Sequence, residues 1–380
     1  MHYYRDTWME IRLDAISENV RNIRRHLAEG TELMAVVKAD GYGHGAEETA
    51  EAALEAGAKW IGVAMLDEAL FLRKRGIDAP ILVLGYCPPQ HAQVAAENRI
   101  SLTAFQEGWL EEAGRHLTAP LNVHIKCDTG MGRLGVRTLA ELDSLLAALK
   151  KSNWIRTEGV FTHFAAADTL EGDYYQKQLE KFQAFLSRFP ERPEWIHASN
   201  SAAALLHPEA AFNLVRTGIV MYGLSPSEEI KPALPFPLKP ALSLHSRLSH
   251  VKKAEKGAKI SYGCTYTAEQ DEWIGTVPIG YADGWLRDLQ GQEVLVNGKR
   301  APIVGRICMD QCMIRLPERV EPGTLVTLIG RQGDEEISAD EIARKRNTIN
   351  YEIVSTLSQR IPRIYKQGEK IVKIKNALFS

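Results

Sequence analysis

Short apolar runs alternate with amphipathic stretches from about residue 14 to residue 235, and this alternation predicts a repeating strand–helix order. The strand-like runs fall near 32–38, 59–65, 80–86, 100–105, 121–127, 155–164, 194–199 and 213–222. Between them, apolar residues recur at helical spacing. Ile16, Val20, Ile23 and Leu27 share a face behind Asp14, which reads as an N-cap. Leu139, Leu142, Leu146 and Leu149 share another, as do Leu179, Phe182, Leu186 and Phe189. About eight strands with intervening helices in roughly 220 residues is the count of a (β/α)8 TIM barrel. An open doubly wound sheet is the competing arrangement. No Gly-x-Gly-x-x-Gly follows the first strand, which argues against its dinucleotide-binding form.

The texture changes at Leu234-Pro235-Phe236-Pro237-Leu238-Lys239-Pro240, where closely spaced prolines suit a rigid linker. Beyond it the apolar runs are short and alternating. Asn297-Gly298 stands between two such runs, a type I′ hairpin signal. Ser338 and Glu341 form a capping box, and a longer amphipathic pattern covers about 350–360. The pattern predicts an α/β plus β chain: an N-terminal (β/α)8 barrel over 14–240 and a C-terminal, mainly β-strand domain over 241–380. Residues 1–13 include Trp8-Met9-Glu10-Ile11-Arg12-Leu13, a strand expected to pair with the second domain's sheet.

Composition narrows the function classes. A length of 380 residues suits two domains, and a net charge of −2 argues against nucleic acid as the main partner. Met1-His2-Tyr3-Tyr4-Arg5-Asp6 holds no apolar core of signal-peptide length, and no run is long enough to span a membrane, so no membrane association is expected. The five cysteines are scattered, with no Cys-x-x-Cys pair and no His or Cys cluster to complete a zinc set. Neither a disulfide framework nor a metal is expected, and a reducing cytoplasm fits.

The candidate chemistry lies at the ends of the strand-like runs. Lys38 closes Leu33-Met34-Ala35-Val36-Val37 and opens the glycine-rich Ala39-Asp40-Gly41-Tyr42-Gly43-His44-Gly45. A lysine at that junction is readily made neutral by burial, and a neutral amine can form a Schiff base with an aldehyde or take a proton. Lys126, Asp128 and Arg133 lie at or after the fifth run, Thr162 and His163 end the sixth, and His197, Ser199, Asn200 and Ser201 follow the seventh. Arg216, Thr217 and Gly218 belong to the eighth. In a (β/α)8 barrel such positions converge on one mouth. Ser201 opens a short helix and Gly218 permits close backbone approach, which suits a phosphate that Tyr42 could also bind. Arg216 is a candidate partner for a pyridine nitrogen, His163 for a planar ring, and Arg133 for a substrate carboxylate.

Ala35-Val36-Val37-Lys38-Ala39-Asp40-Gly41-Tyr42-Gly43-His44-Gly45 resembles the cofactor-lysine motif of bacterial alanine racemases, which use pyridoxal 5'-phosphate. Further family segments follow in order: Asp128-Thr129-Gly130-Met131-Gly132-Arg133, His197-Ala198-Ser199-Asn200-Ser201, Arg216-Thr217-Gly218 and Tyr222-Gly223. Ile260-Ser261-Tyr262-Gly263-Cys264-Thr265-Tyr266, Ile279-Gly280-Tyr281-Ala282-Asp283-Gly284 and Gly305-Arg306-Ile307-Cys308-Met309-Asp310 continue the series. The resemblance spans about residues 8 to 365 and implies a homodimer with shared active sites acting on alanine. It implies Lys38 as Schiff-base lysine and one acid/base, with Tyr262 of the partner subunit as the other. Tyr42, Ser201, Gly218, Ile219 and Tyr351 correspond to phosphate-binding positions, and Arg216 to the ring-nitrogen partner. Arg133 and Met309 correspond to substrate contacts, and Lys126 to a lysine carbamylated in some members. Tyr266 lies four residues beyond Tyr262 and competes with it for the role. A broad-specificity racemase, a non-catalytic pyridoxal-phosphate-binding protein and a barrel decarboxylase are the alternatives. The last would want an acidic residue near the ring nitrogen, where this chain has Arg216.

Overall fold

The computed structural model describes residues 3–170 and 172–379, which form two compact units. One comprises the N-terminal segment to Ala15 with the chain from Pro240 onward, and the other Ile16–Lys239.

The second unit is a nearly closed parallel barrel. Its strands are β2 (Glu32–Val36), β3 (Trp60–Val63), β4 (Ile81–Val83), β5 (Ile100–Ala104), β6 (Leu121–Lys126), β7 (Ile155–Phe161), β8 (Trp195–His197) and β9 (Leu214–Thr217). They pair in the order β8-β7-β6-β5-β4-β3-β2-β9. The remaining seam lies between β8 and β9, and the Asn213 side chain bridges it. Its Oδ1 accepts from Ile196 N at 2.8 Å while its Nδ2 donates to Glu194 O at 2.6 Å. Arg216 N adds a bond to Ser199 O at 3.1 Å. Strands buried on both faces read as continuous apolar runs, which is why Leu33–Val37 and Ile81–Val83 do not alternate. Each strand is shorter than its apolar run. The clearest case is 213–222, where β9 stops at Thr217 and Ile219–Tyr222 forms a 3-10 turn beyond Gly218.

Two helix details differ from expectation. Asp14 lies inside the first turn of Leu13–His26 and pairs with Arg12 at 2.9 Å, so it is not the N-cap. Helix Leu139–Lys151 buries Leu142, Leu145 and Leu149 and leaves Leu139 41% exposed, because its contact stripe drifts with the 3.6-residue period.

The other unit is built on an 11-stranded sheet. Strand β1 (Thr7–Arg12) runs antiparallel to β10 (Leu242–Arg247) and parallel to Arg363–Gln367. Asn297 and Gly298 both take positive φ, 51° and 73°, in the turn joining Glu293–Val296 to Lys299–Val304. Ser338 Oγ accepts from Glu341 N at 3.0 Å and caps Ala339–Arg346. The last helix covers only Asn350–Ser355. The chain turns at Ser358–Ile361 ahead of Pro362, which disfavours helical backbone in the residue before it.

Candidate active site

Lys38 lies two residues past the end of β2, and the chain then makes a left-handed turn. Ala39, Asp40, Gly41 and Tyr42 have φ of 51°, 52°, 63° and 53°. Left-handed backbone costs roughly 1–2 kcal/mol per non-glycine residue, so the turn persists only because its surroundings hold it. Gly41 N donates to Val37 O at 2.8 Å, and Asp40 Oδ1 accepts from Ala46 N at 3.0 Å. Glu68 Oε1 accepts from Ala39 N at 2.7 Å, and its Oε2 accepts from Ala64 N at 2.7 Å. The lysine behind this turn has its pKa lowered by burial and by the charges of Arg133 and Arg216, with Glu68 opposing.

A cradle of small donors lies between β8, β9 and this turn. Ser201 heads helix Ser201–Leu206, whose N-cap is Asn200 rather than Ser199 or Ser201: Asn200 Oδ1 accepts from Ala203 N at 3.1 Å. Ser201 Oγ instead accepts from Gly218 N at 3.0 Å. A Cβ at Gly218 would lie 2.4 Å from Tyr42 Oη, so the absence of a side chain lets that hydroxyl reach the strand end. Ile219 starts a 3-10 turn, whose first amides lack intrahelical acceptors. Hydroxyls of Tyr42 and Ser201 and the Gly218–Ile219 backbone therefore gather where a phosphate would fit. Gly218→Ala is expected to displace Tyr42 and weaken binding of a phosphate-bearing ligand in the cradle by on the order of tenfold, the range of a mild overpacking. A fluorescence titration of the chain with pyridoxal 5'-phosphate as the probe checks it, and unchanged affinity would remove the cradle from the site.

Arg216 is buried at the adjacent strand position. Its Nη1 donates to His197 O at 3.0 Å and meets His197 Nδ1 at 2.9 Å; its Nη2 donates to Thr162 O and Ala198 O, both at 2.8 Å, and meets His163 Nδ1 at 3.3 Å. Both terminal nitrogens are thus committed, which leaves Nε–H as the donor for a ring acceptor. Burial and Arg133 lower the Arg216 pKa to about 9, so it stays cationic at neutral pH. His163 is depressed far below its ordinary value by burial and then by Arg216, Lys126, Arg133 and Lys38. Four basic side chains therefore act on one imidazole, a setting suited to a ligand carrying phosphate and carboxylate.

Lys126 ends β6 with its Nζ buried, 4.5 Å from the centre of the Phe161 ring and without a hydrogen-bond partner among the described residues. Burial and Arg216 hold its pKa well below the usual lysine value. Asp128 Oδ1 accepts from Gly130 N and Gly132 N, both at 3.0 Å, and so shapes the loop that presents the exposed Arg133. Gly135, at φ 130°, brings the loop back against β6, where a Cβ would stand 2.5 Å from Asp128 N. Arg133 borders an open depression of about 1000 Å³ shared with Asp128 and Arg137.

The remaining candidates belong to the strand-rich unit. Tyr262 is 69% exposed on a short 3-10 turn between Ser261 (φ 67°) and Gly263 (φ 72°). A Cβ at Gly263 would meet Arg306 Nη1 at 2.9 Å, so the guanidinium lies against the tyrosine's own turn. Tyr266, in contrast, donates to Glu272 Oε2 at 2.5 Å, and burial and that carboxylate raise its pKa. Met309 is 53% exposed beside Gly280, where a Cβ would lie 2.4 Å from Met309 O. Tyr351 lies half-buried in helix Asn350–Ser355.

The motif reading passed over Glu68, which braces the Lys38 turn, and over His124 and Glu158 inside the barrel. The period of two could have found His124, which shares the face of Lys126 on β6. Glu68 has a local capping role, since it is the third residue of helix Leu66–Lys74 and accepts from Met65 N at 3.2 Å, but no local pattern reveals its bond to the distant Ala39 N.

The family model for the alanine racemase N-terminal domain matches residues 11–226, and that for the alanine racemase C-terminal domain matches 241–365. An alanine racemase of Geobacillus kaustophilus is 57% identical over 99% of this chain and 98% of its own length. The crystal structure of alanine racemase from Bacillus anthracis with bound L-Ala-P superposes with a TM-score of 0.98 at 53% identity, covering 100% of both chains. A histidine racemase from Leuconostoc mesenteroides superposes at 0.90 with 34% identity, covering 96% of this chain and 99% of that one. A barrel with a lysine-ended first strand joined to this strand-rich domain defines an amino-acid racemase, an isomerase. The chain belongs to the alanine racemase family. No helix among the described residues is long and apolar enough to cross a membrane.

Proposed function

We propose that this chain interconverts L- and D-alanine using pyridoxal 5'-phosphate bound at the C-terminal mouth of the barrel. The observation that carries the reading is that Arg216, within reach of His163 and sharing the Phe161 ring with Lys126, stands next to the hydroxyl and glycine cradle. Tyr42, Ser201, Gly218 and Ile219 would hold the phosphate, with Tyr351 joining them as the resemblance implies. Bound there, the cofactor supplies a ring able to delocalise the charge left when an amino acid loses its α-proton.

The chain's own groups account for the rest. Lys38, made easier to deprotonate by burial, removes or returns the proton on one face. Tyr262 of the partner subunit serves the opposite face, so the active form is a homodimer. Inversion requires two such groups, since one base returns the proton to the face it came from. Arg216 donates through Nε–H but keeps its own proton, and so leaves a ring nitrogen only moderately electron-withdrawing. Arg133 holds the substrate carboxylate and His163 lies against the ring, while Met309 corresponds to a further substrate contact, as the resemblance implies. Lys126, whose amine burial makes easier to deprotonate and which has no hydrogen-bond partner among the described residues, is suited to react with carbon dioxide, and the resulting carbamate would orient Arg133. Carbon-13 NMR after equilibration with labelled bicarbonate should show one slowly exchanging carbamate signal, absent in Lys126→Met.

The supply of D-alanine to peptidoglycan from the cytoplasm is the role this reading supports. Structural likeness to a histidine racemase makes a broader substrate range the second reading. A chiral assay against alanine, serine, histidine and lysine decides between them. D-alanine as the dominant product supports the first, comparable rates on all four support the second, and no D-product would leave a cofactor-binding protein.

A further inference from the structure

The barrel interior beneath Arg216 holds a polar chain that the racemase chemistry does not itself use. Arg216 Nη1 lies 2.9 Å from His197 Nδ1, His197 Nε2 lies 2.8 Å from His124 Nδ1, and His124 Nε2 lies 3.1 Å from Glu158 Oε2. The direction of every bond follows from the first. A guanidinium only donates, so His197 Nδ1 accepts. Burial and the Arg216 charge keep His197 neutral, so its single proton is on Nε2 and is donated to His124 Nδ1. His124 then carries its proton on Nε2 and donates it to Glu158. A second proton on His124 would set two N–H groups against each other.

The surroundings are built for this order. Gly159 faces His124 across the β6–β7 pair at a register shift, and a Cβ there would lie 2.4 Å from His124 Nδ1. Phe161 stacks on the His197 ring with centres 4.7 Å apart and planes 5° from parallel. At the far end, Glu158 Oε2 accepts from Ser101 Oγ at 2.5 Å and Oε1 accepts from Asn122 Nδ2 at 2.8 Å. Glu158 borders a cavity of about 390 Å³ at the N-terminal ends of the strands, away from Lys38. The carboxylate is thus an acceptor that terminates the chain, and the Arg216 bonds named above include no carboxylate of their own.

We infer that Glu158 is a positioning residue for the racemase reaction, fixing through His124 and His197 the tautomers that hold Nη1 of Arg216 in place and so keep its Nε–H aimed at the cofactor ring. A proton moved to His197 Nδ1 would oppose Nη1 and turn the guanidinium. The rate consequences rest on the racemase reading; the tautomers do not.

The test uses full-length protein labelled with nitrogen-15 histidine, in wild type, Glu158→Gln and Glu158→Leu. His124→Gln and His197→Gln assign the two rings. Wild type should show both rings neutral with the proton on Nε2. The glutamine oxygen still accepts, so Glu158→Gln should keep that order and stay within about threefold of the wild-type kcat. Glu158→Leu should mix the tautomers and lower kcat on the order of tenfold with KM little changed, the scale at which partners behind a functional histidine act. An Nδ1–H ring in wild type, or wild-type kcat in Glu158→Leu, overturns the inference. If the tautomers are as stated and no racemase activity is measured, only the functional reading falls.

Discussion

Lys38→Ala is expected to lower racemisation by roughly 10⁴-fold or more, beyond the range of a single acid/base group, because on the proposed mechanism it removes both the cofactor's anchor and one proton path. The variant should also lose the visible absorbance of the lysine-bound cofactor while the barrel stays folded. That combination follows from the position of Lys38. It stands outside the β2 ladder, and the turn behind it is held by Glu68, Asp40 and Val37 O, none of which needs the lysine side chain. Circular dichroism, an absorbance spectrum and a chiral assay measure the three quantities. If the absorbance is lost but turnover falls less than about tenfold, Lys38 is an anchor without a proton-transfer role.

Tyr262→Phe should lower turnover by roughly 10²–10⁴-fold while leaving the cofactor bound, since it deletes one hydroxyl and no part of the cradle. Exchange of the α-proton with heavy water gives the sharper readout. It should persist for one enantiomer, through Lys38, and nearly vanish for the other. Equal exchange from both enantiomers would refute the two-base assignment. The exposure of Tyr262, 69%, against the bonded Tyr266 makes the choice between them testable, because Tyr266→Phe should cost stability more than rate. Mixing inactive Lys38→Ala with inactive Tyr262→Phe should restore some activity through hybrid dimers, each holding one intact site. No recovery after demonstrated subunit exchange would argue for a site completed within one chain.

Much of the barrel was legible because buried parallel strands read as unbroken apolar runs and their helices as stripes. The failures cluster where backbone conformation depends on distant groups. The run 213–222 reads as one strand, yet Gly218 breaks it, and the reason lies in Tyr42, far away in the chain and 2.4 Å from where a Cβ would be. The glycines after Lys38 signal a turn, but that Ala39, Asp40 and Tyr42 also take left-handed backbone depends on the bonds that Glu68 and Ala46 supply. Asp14 looks like a cap because capping chemistry is local; pairing with Arg12 draws it into the first turn instead.

By itself, the sequence determines the order of strands and helices, the change of texture after the proline-rich linker, and the residue types at each strand end. These depend on period, volume and turn chemistry, which are properties of neighbouring residues. Only the tertiary structure decides that Lys126 is buried without a hydrogen-bond partner among the described residues, that four basic side chains act on His163, and that Arg216 orders the protons of His197 and His124. Those features arise from burial and from distances between strands that are far apart in the chain, and charge and hydrogen bonding act through space.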